Sequence, residues 1–179
     1  MPDTATDYQR VIAHCRQLFK QKAKDYGTAW RILRLPSLTD QIYIKAARIR
    51  SIQEKGRHLV EDGIEEEFVG IINYCLMALI QDRLRDDTRL ELSPEEAMQH
   101  YDDCLRVVQE LLLRKNHDYG EAWRQMRVSS MTDIILMKLI RIKQIEDNAG
   151  QTLVSEGVIS GYQDILNYAV FCLILMEFS

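Results

Sequence analysis

Asp25-Tyr26-Gly27-Thr28-Ala29-Trp30-Arg31 recurs 93 residues downstream as Asp118-Tyr119-Gly120-Glu121-Ala122-Trp123-Arg124, with a single difference at Thr28/Glu121. The register extends outward in both directions. Tyr8 pairs with Tyr101 upstream, and Arg34/Arg127, Ser37/Ser130, Thr39/Thr132, Asp40/Asp133, Lys45/Lys138 and Arg48/Arg141 pair downstream. After a one-residue shift near the following turn, Gly56/Gly150, Gly63/Gly157, Asn73/Asn167 and Tyr74/Tyr168 continue the match. Chance does not produce such a series, so the chain reads as a tandem duplication of one unit of roughly 75 to 80 residues.

Each copy reads as three helices, because apolar residues recur at helical spacing and no strand-like alternation bounded by hairpin signals occurs. In the first copy one helix runs from about Asp7 to Lys24, with Val11, Cys15, Leu18 and Phe19 as its inner stripe, and Asp25-Tyr26-Gly27 ends it. Gly27 and Gly120 suit the left-handed conformation that closes a helix. Ser37-Leu38-Thr39-Asp40 and Ser130-Met131-Thr132-Asp133 resemble capping arrangements for the second helices, which stop at Gly56 and Gly150. The third helices are expected over Asp62 to Arg85 and Glu156 to Phe178.

These third helices are apolar around most of their circumference, which places them at the centre, packed across a pseudo-twofold axis. A unit this small buries little surface alone, so the two copies are expected to share one core. The expectation is one all-α helical bundle: first copy 1–85, linker 86–92, second copy 93–179, the last opened by the cap, first-turn proline and box glutamate of Ser93-Pro94-Glu95-Glu96.

Composition narrows the function classes. With 46% hydrophobic residues there is material for a core, while a formal charge of −4 provides no basic face for polymeric nucleic acid. Cys15, Cys75, Cys104 and Cys172 lie far apart with no CxxC, which suggests free thiols and a cytoplasmic setting. No signal-peptide pattern opens the chain, and the wholly apolar Ala169 to Met176 reads as a buried core helix, so no membrane association is expected. His14, His58, His100 and His117 lack metal-ligand spacing, and the phosphate-loop, dinucleotide and hydrolase-elbow motifs are absent.

Chemistry is expected on the last helix. Glu156, Ser160, Asp164 and Asn167 fall within about 80° of one another at a helical pitch, one polar stripe on an apolar helix. Buried carboxylates need basic partners, a metal ion or solvent, and Lys138 and Arg141, three apart on the preceding helix, are the natural partners. The corresponding stripe in the first copy is Asp62, Glu66, Gly70 and Asn73, where glycine replaces Asp164. Asp118 and Asp25 oppose the dipole at a helix C-terminus, which implies a partner such as Arg124 or Arg31, a lysine or a metal ion. Trp123 and Trp30 suit either a core plug or a ring that stacks on a base.

His117-Asp118-Tyr119-Gly120, then Lys138-Leu139-Ile140-Arg141, then Glu156 followed by Asp164-Ile165-Leu166-Asn167-Tyr168-Ala169 resemble the nucleotide modification associated domain 1 family, common in phages and bacteria. The resemblance covers nearly the whole chain and fits the second copy better. Two departures stand out: Met137 and Ile44 occupy the position before the second-helix lysine where an acid is expected, and Gly157 replaces a serine after Glu156. The helical shape and acidic stripes are also similar, at the level of fold, to the MazG-like nucleoside triphosphate pyrophosphohydrolases, whose ExxE…ExxD signature is absent.

The resemblance implies a nucleotide-related role. One reading is a Mg²⁺-dependent enzyme acting on a nucleotide phosphate. Glu156 and Asp164 would be catalytic and, with Asp118, hold the metal; Lys138 and Arg141 would bind phosphate; Tyr119, Trp123 and Asn167 would complete the substrate site. The alternative is a non-catalytic binding or assembly module in which the same polar groups stabilise the bundle. Either a monomer or a homodimer satisfies the sequence.

Overall fold

The computed structural model describes residues 3–56, 63–150 and 157–178. Among them are six α-helices and no strand: α1 Thr4–Tyr26, α2 Leu35–Lys55, α3 Ile64–Arg83, α4 Pro94–Tyr119, α5 Val128–Asp147 and α6 Val158–Leu175. A single 3₁₀ turn, Ala29–Ile32 or Ala122–Gln125, joins the first and second helices of each copy. The three-helix repeat and the all-α bundle are as the sequence predicts.

α3 and α6 lie against each other at the centre, α2 packs on α3, α5 on α6, and α2 on α5. Phe68, Ile71, Ile72 and Leu76 of α3 and Ile165, Leu166, Val170 and Leu173 of α6 are fully buried, so one core serves both copies. By length and composition α6 would suffice to cross a membrane, yet here it is the core helix laid along α3.

The outer helices cross over. α1 packs more extensively on α6 than on α3 of its own copy, and α4 more extensively on α3 than on α6. Two buried hydrogen bonds mark this exchange: Tyr8 donates to Asn167 Oδ1 at 2.8 Å, and Tyr101 donates to Asn73 Oδ1 at 2.9 Å. The Tyr8/Tyr101 and Asn73/Asn167 pairs of the repeat are thus reciprocal ties across the pseudo-twofold axis, which no periodicity could reveal. Asn73 also donates to the carbonyl of Cys15 at 3.1 Å.

Helix boundaries show where local signals competed. Asp3 caps α1 through Ala5 N, and Ser93 caps α4 through Glu96 N, as the sequence indicates for Ser93. The second helices begin earlier than Ser37 and Ser130, at Leu35 and Val128, with Arg34 and Arg127 at the cap position. Pro36 suits a first turn, and Thr39 and Thr132 turn their hydroxyls back to the carbonyls of Leu35 and Val128 (3.0 and 3.1 Å) instead of capping. Gly27 and Gly120 have positive φ (64° and 62°) as expected, but their ψ values of −142° and −139° lie in a mirror-extended region essentially closed to other residues, outside the left-handed helical well.

Candidate functional site

The repeated Asp-Tyr-Gly-x-Ala-Trp-Arg segment builds the same concavity twice. In each copy the end of the first helix, the 3₁₀ turn and the start of the third helix enclose a cleft of about 490 Å³ in the second copy and about 400 Å³ in the first, within the range of small-molecule sites.

The second-copy cleft has an aromatic side formed by Tyr119, Trp123, Tyr168 and Phe171, and a polar end formed by Lys115 and Asp164. Asp164 accepts from Lys115 Nζ at 3.1 Å through one oxygen and from Lys138 Nζ at 3.0 Å through the other. The pairing of Lys138 with Asp164 is the one the helix spacing predicts. Lys115 is a partner that the spacing on the last two helices does not indicate, although the repeat carries it: Lys22 and Lys115 each stand three residues before Asp-Tyr-Gly. Arg141, the other predicted partner, is exposed and makes no ion pair among the described residues.

Trp123 is 8% exposed and stacks on Phe171 with ring centroids 4.2 Å apart and planes 9° from parallel. The Arg124 guanidinium lies 4.5 Å from the ring centroid of the same tryptophan. Both faces of Trp123 are therefore occupied, so the core-plug reading of this residue fits and the base-stacking reading does not. Its indole Nε1 is nonetheless buried with no acceptor. Tyr119, in contrast, is 76% exposed at the rim. Asn167 lines the cleft, but its Oδ1 is committed to Tyr8, which assigns it first to the scaffold.

Asp118 and Asp25 are exposed and, contrary to expectation, are not paired with the arginines six residues on. Arg124 instead bonds Asp7 at 2.8 Å and Glu121 at 3.3 Å, and Glu121 accepts from Thr4 N at 3.1 Å. Arg31 instead bonds Gln81 and the carbonyls of Asp87 and Arg89. Each arginine thus clasps the segment that enters the other copy's first helix. Arg89 in turn holds the Asp87 carboxyl well below the usual carboxylate range.

Glu156 lies outside the described residues, so the predicted Glu156/Asp164/Asp118 metal set reduces to Asp164 and Asp118, and Asp118 does not line the cleft. No group of three His, Cys, Asp or Glu side chains with metal-binding geometry occurs among the described residues. Both Asp164 oxygens face ammonium groups, a donor arrangement that does not fit a resident divalent cation.

The first-copy cleft repeats this frame with its acid displaced. Gly70 stands where Asp164 stands, but Glu67, one turn earlier on α3, takes Lys45 at 3.4 Å and Arg48 at 3.2 Å. A side chain at position 70 would come within 2.8 Å of Lys45 Cε, so the missing Cβ is what lets the lysine lie across the helix toward Glu67. The first copy has not lost the lysine's carboxylate partner, as the glycine alone implied; it has moved it.

Fold and clefts together define an all-α protein of two fused copies, each holding one aromatic-walled cleft with a lysine–carboxylate end. The chain belongs to the nucleotide modification associated domain 1 family, which matches residues 22–81 and 115–176, one stretch in each copy. No curated protein and no solved structure matches the chain, and nothing extends the match to the MazG-like enzymes.

Proposed function

We propose that the second-copy cleft binds a nucleotide, with its phosphate at Lys115 and Lys138 and its base toward the Tyr119 and Tyr168 side. The observation that carries this reading is the charge balance at the polar end: two lysines against one described carboxylate leave a net positive charge beside an aromatic wall. Asp164 then acts as the anchor that draws the two ammonium groups together, so a phosphate finds them preorganised. Arg141, one turn from Lys138 on α5 and without an ion pair among the described residues, adds a third cation for a longer phosphate chain. The buried Nε1 of Trp123 supplies a donor for a base or sugar acceptor.

Magnesium enters this reading with the phosphates as the nucleotide's own counter-ion. Binding is better supported than hydrolysis, because the one described carboxylate lining this cleft is held by two lysines and is poorly disposed to activate water. Family membership supports the nucleotide class of the ligand. A thermal-shift series of nucleoside, mono-, di- and triphosphate, each with and without Mg²⁺, tests it. The midpoint is expected to rise with phosphate number; a flat series would overturn the reading.

A further inference from the structure

The first-copy cleft differs from its counterpart in two ways that act together on what it can hold. Its tryptophan is available: Trp30 is only half-buried and meets Phe19 at a tilted 54° with ring centroids 6.0 Å apart. Met77 replaces the stacked Phe171, and Arg31 is turned away to the linker. Its polar end also carries a spare carboxylate. Lys22, Lys45, Glu66 and Glu67 line it, whereas the other cleft is lined by Lys115 and Asp164, the latter bonded by both Lys115 and Lys138. Glu67 is satisfied by Lys45 and Arg48, while Glu66 is exposed and makes no ion pair among the described residues.

We infer that the first-copy cleft is a second ligand site, one that takes an uncharged nucleoside-like ring carrying an amino group, stacked on Trp30 with its amino hydrogens directed to Glu66. Aromatic stacking supplies affinity for a flat ring without regard to its charge. A carboxylate without a cation of its own turns a phosphate away from this site, whereas the Asp164 carboxylate of the second-copy cleft is covered by two ammonium groups. A charged acceptor then favours bases with an exocyclic amino group over uracil, whose single N3–H donor is flanked by two carbonyl oxygens that a carboxylate repels. The inference does not depend on what fills the second-copy cleft, since the two sites share no lining residue.

The chain has two tryptophans, one in each cleft, so each cleft carries its own reporter. In a Trp123→Phe protein, the fluorescence of Trp30 is expected to be quenched saturably by cytidine or adenosine, and more weakly by uridine and by the 5′-monophosphates. Adding Glu66→Gln should weaken cytidine and adenosine by about tenfold and leave uridine unchanged. If circular dichroism reveals that Trp123→Phe has lost its fold, the wild-type protein labelled with 5-fluorotryptophan gives the same reading from two separate fluorine signals. No response at Trp30, tighter binding of the monophosphates, or indifference to Glu66→Gln would overturn the inference; a Trp30→Phe protein reports the second-copy cleft independently.

Discussion

Burial pushes the pKa values of Tyr8 and Tyr101 well above that of free tyrosine, and each hydroxyl gives its proton to an asparagine of the other copy. Replacing either by phenylalanine leaves an asparagine oxygen buried without a donor, a cost of about 1–3 kcal/mol. Chemical denaturation should register that loss for each variant; an unchanged midpoint would mean that these bonds are not the ties described. Glu146 provides the opposite case. It is half-buried, accepts from Thr39 at 3.1 Å, and its pKa is raised chiefly by desolvation. A carboxyl whose folded-state pKa exceeds its unfolded value favours folding below the unfolded pKa and loses that contribution as pH rises through the folded one. Glu146→Gln is therefore expected to raise the melting temperature at pH 7, with the gain shrinking toward pH 4. Glutamine is already the residue in the other copy, where Gln53 donates to Thr132 at 3.1 Å. A gain that grew on acidification would contradict the sign.

At the scale of elements, the repeated segment shows how much was legible and why some was not. Duplication, helix number and the central place of α3 and α6 follow from residue identity and periodicity, both local to the chain. The pairing of Lys138 with Asp164 was legible too, because helix spacing fixes which side chains share a face. The partners of Arg31 and Arg124 were not, since they lie on the linker and on the start of α1, segments brought near only by the crossing of the outer helices. Nor was the shift of the acid from position 70 to Glu67, which depends on a lysine lying over a glycine. The turn itself makes a local prediction. At Gly120 a Cβ meets no atom, so Gly120→Ala isolates the backbone strain of its φ of 62° and ψ of −139° and should cost about 1–3 kcal/mol. At Gly27 a Cβ would also stand 2.7 Å from a Glu91 carboxylate oxygen, so Gly27→Ala should cost at least as much. Comparing the two denaturation midpoints checks the order, and a harmless Gly120→Ala would remove the strain argument.

For the whole molecule, the crossing of α1 onto α6 and α4 onto α3 means that each first helix takes more of its packing surface from the other copy than from its own. Residues 1–92 expressed alone should fail to form a folded monomer, giving either a weakly helical chain or a dimer that restores the crossing; circular dichroism with size-exclusion chromatography distinguishes these from an autonomous folded unit, which would contradict the shared core. The same duplication leaves two clefts free to diverge by substitutions at aligned positions, Asp164 for Gly70 and Gly161 for Glu67. In the proposed function, phosphate recognition belongs to the second copy. It is tested most directly by calorimetric titration of a nucleoside triphosphate into the wild-type protein, Lys138→Met and Lys45→Met. One phosphate-dependent site per chain is expected, weakened about tenfold or more by Lys138→Met and left intact by Lys45→Met. Equal loss in both variants, or unchanged affinity in Lys138→Met, would contradict it.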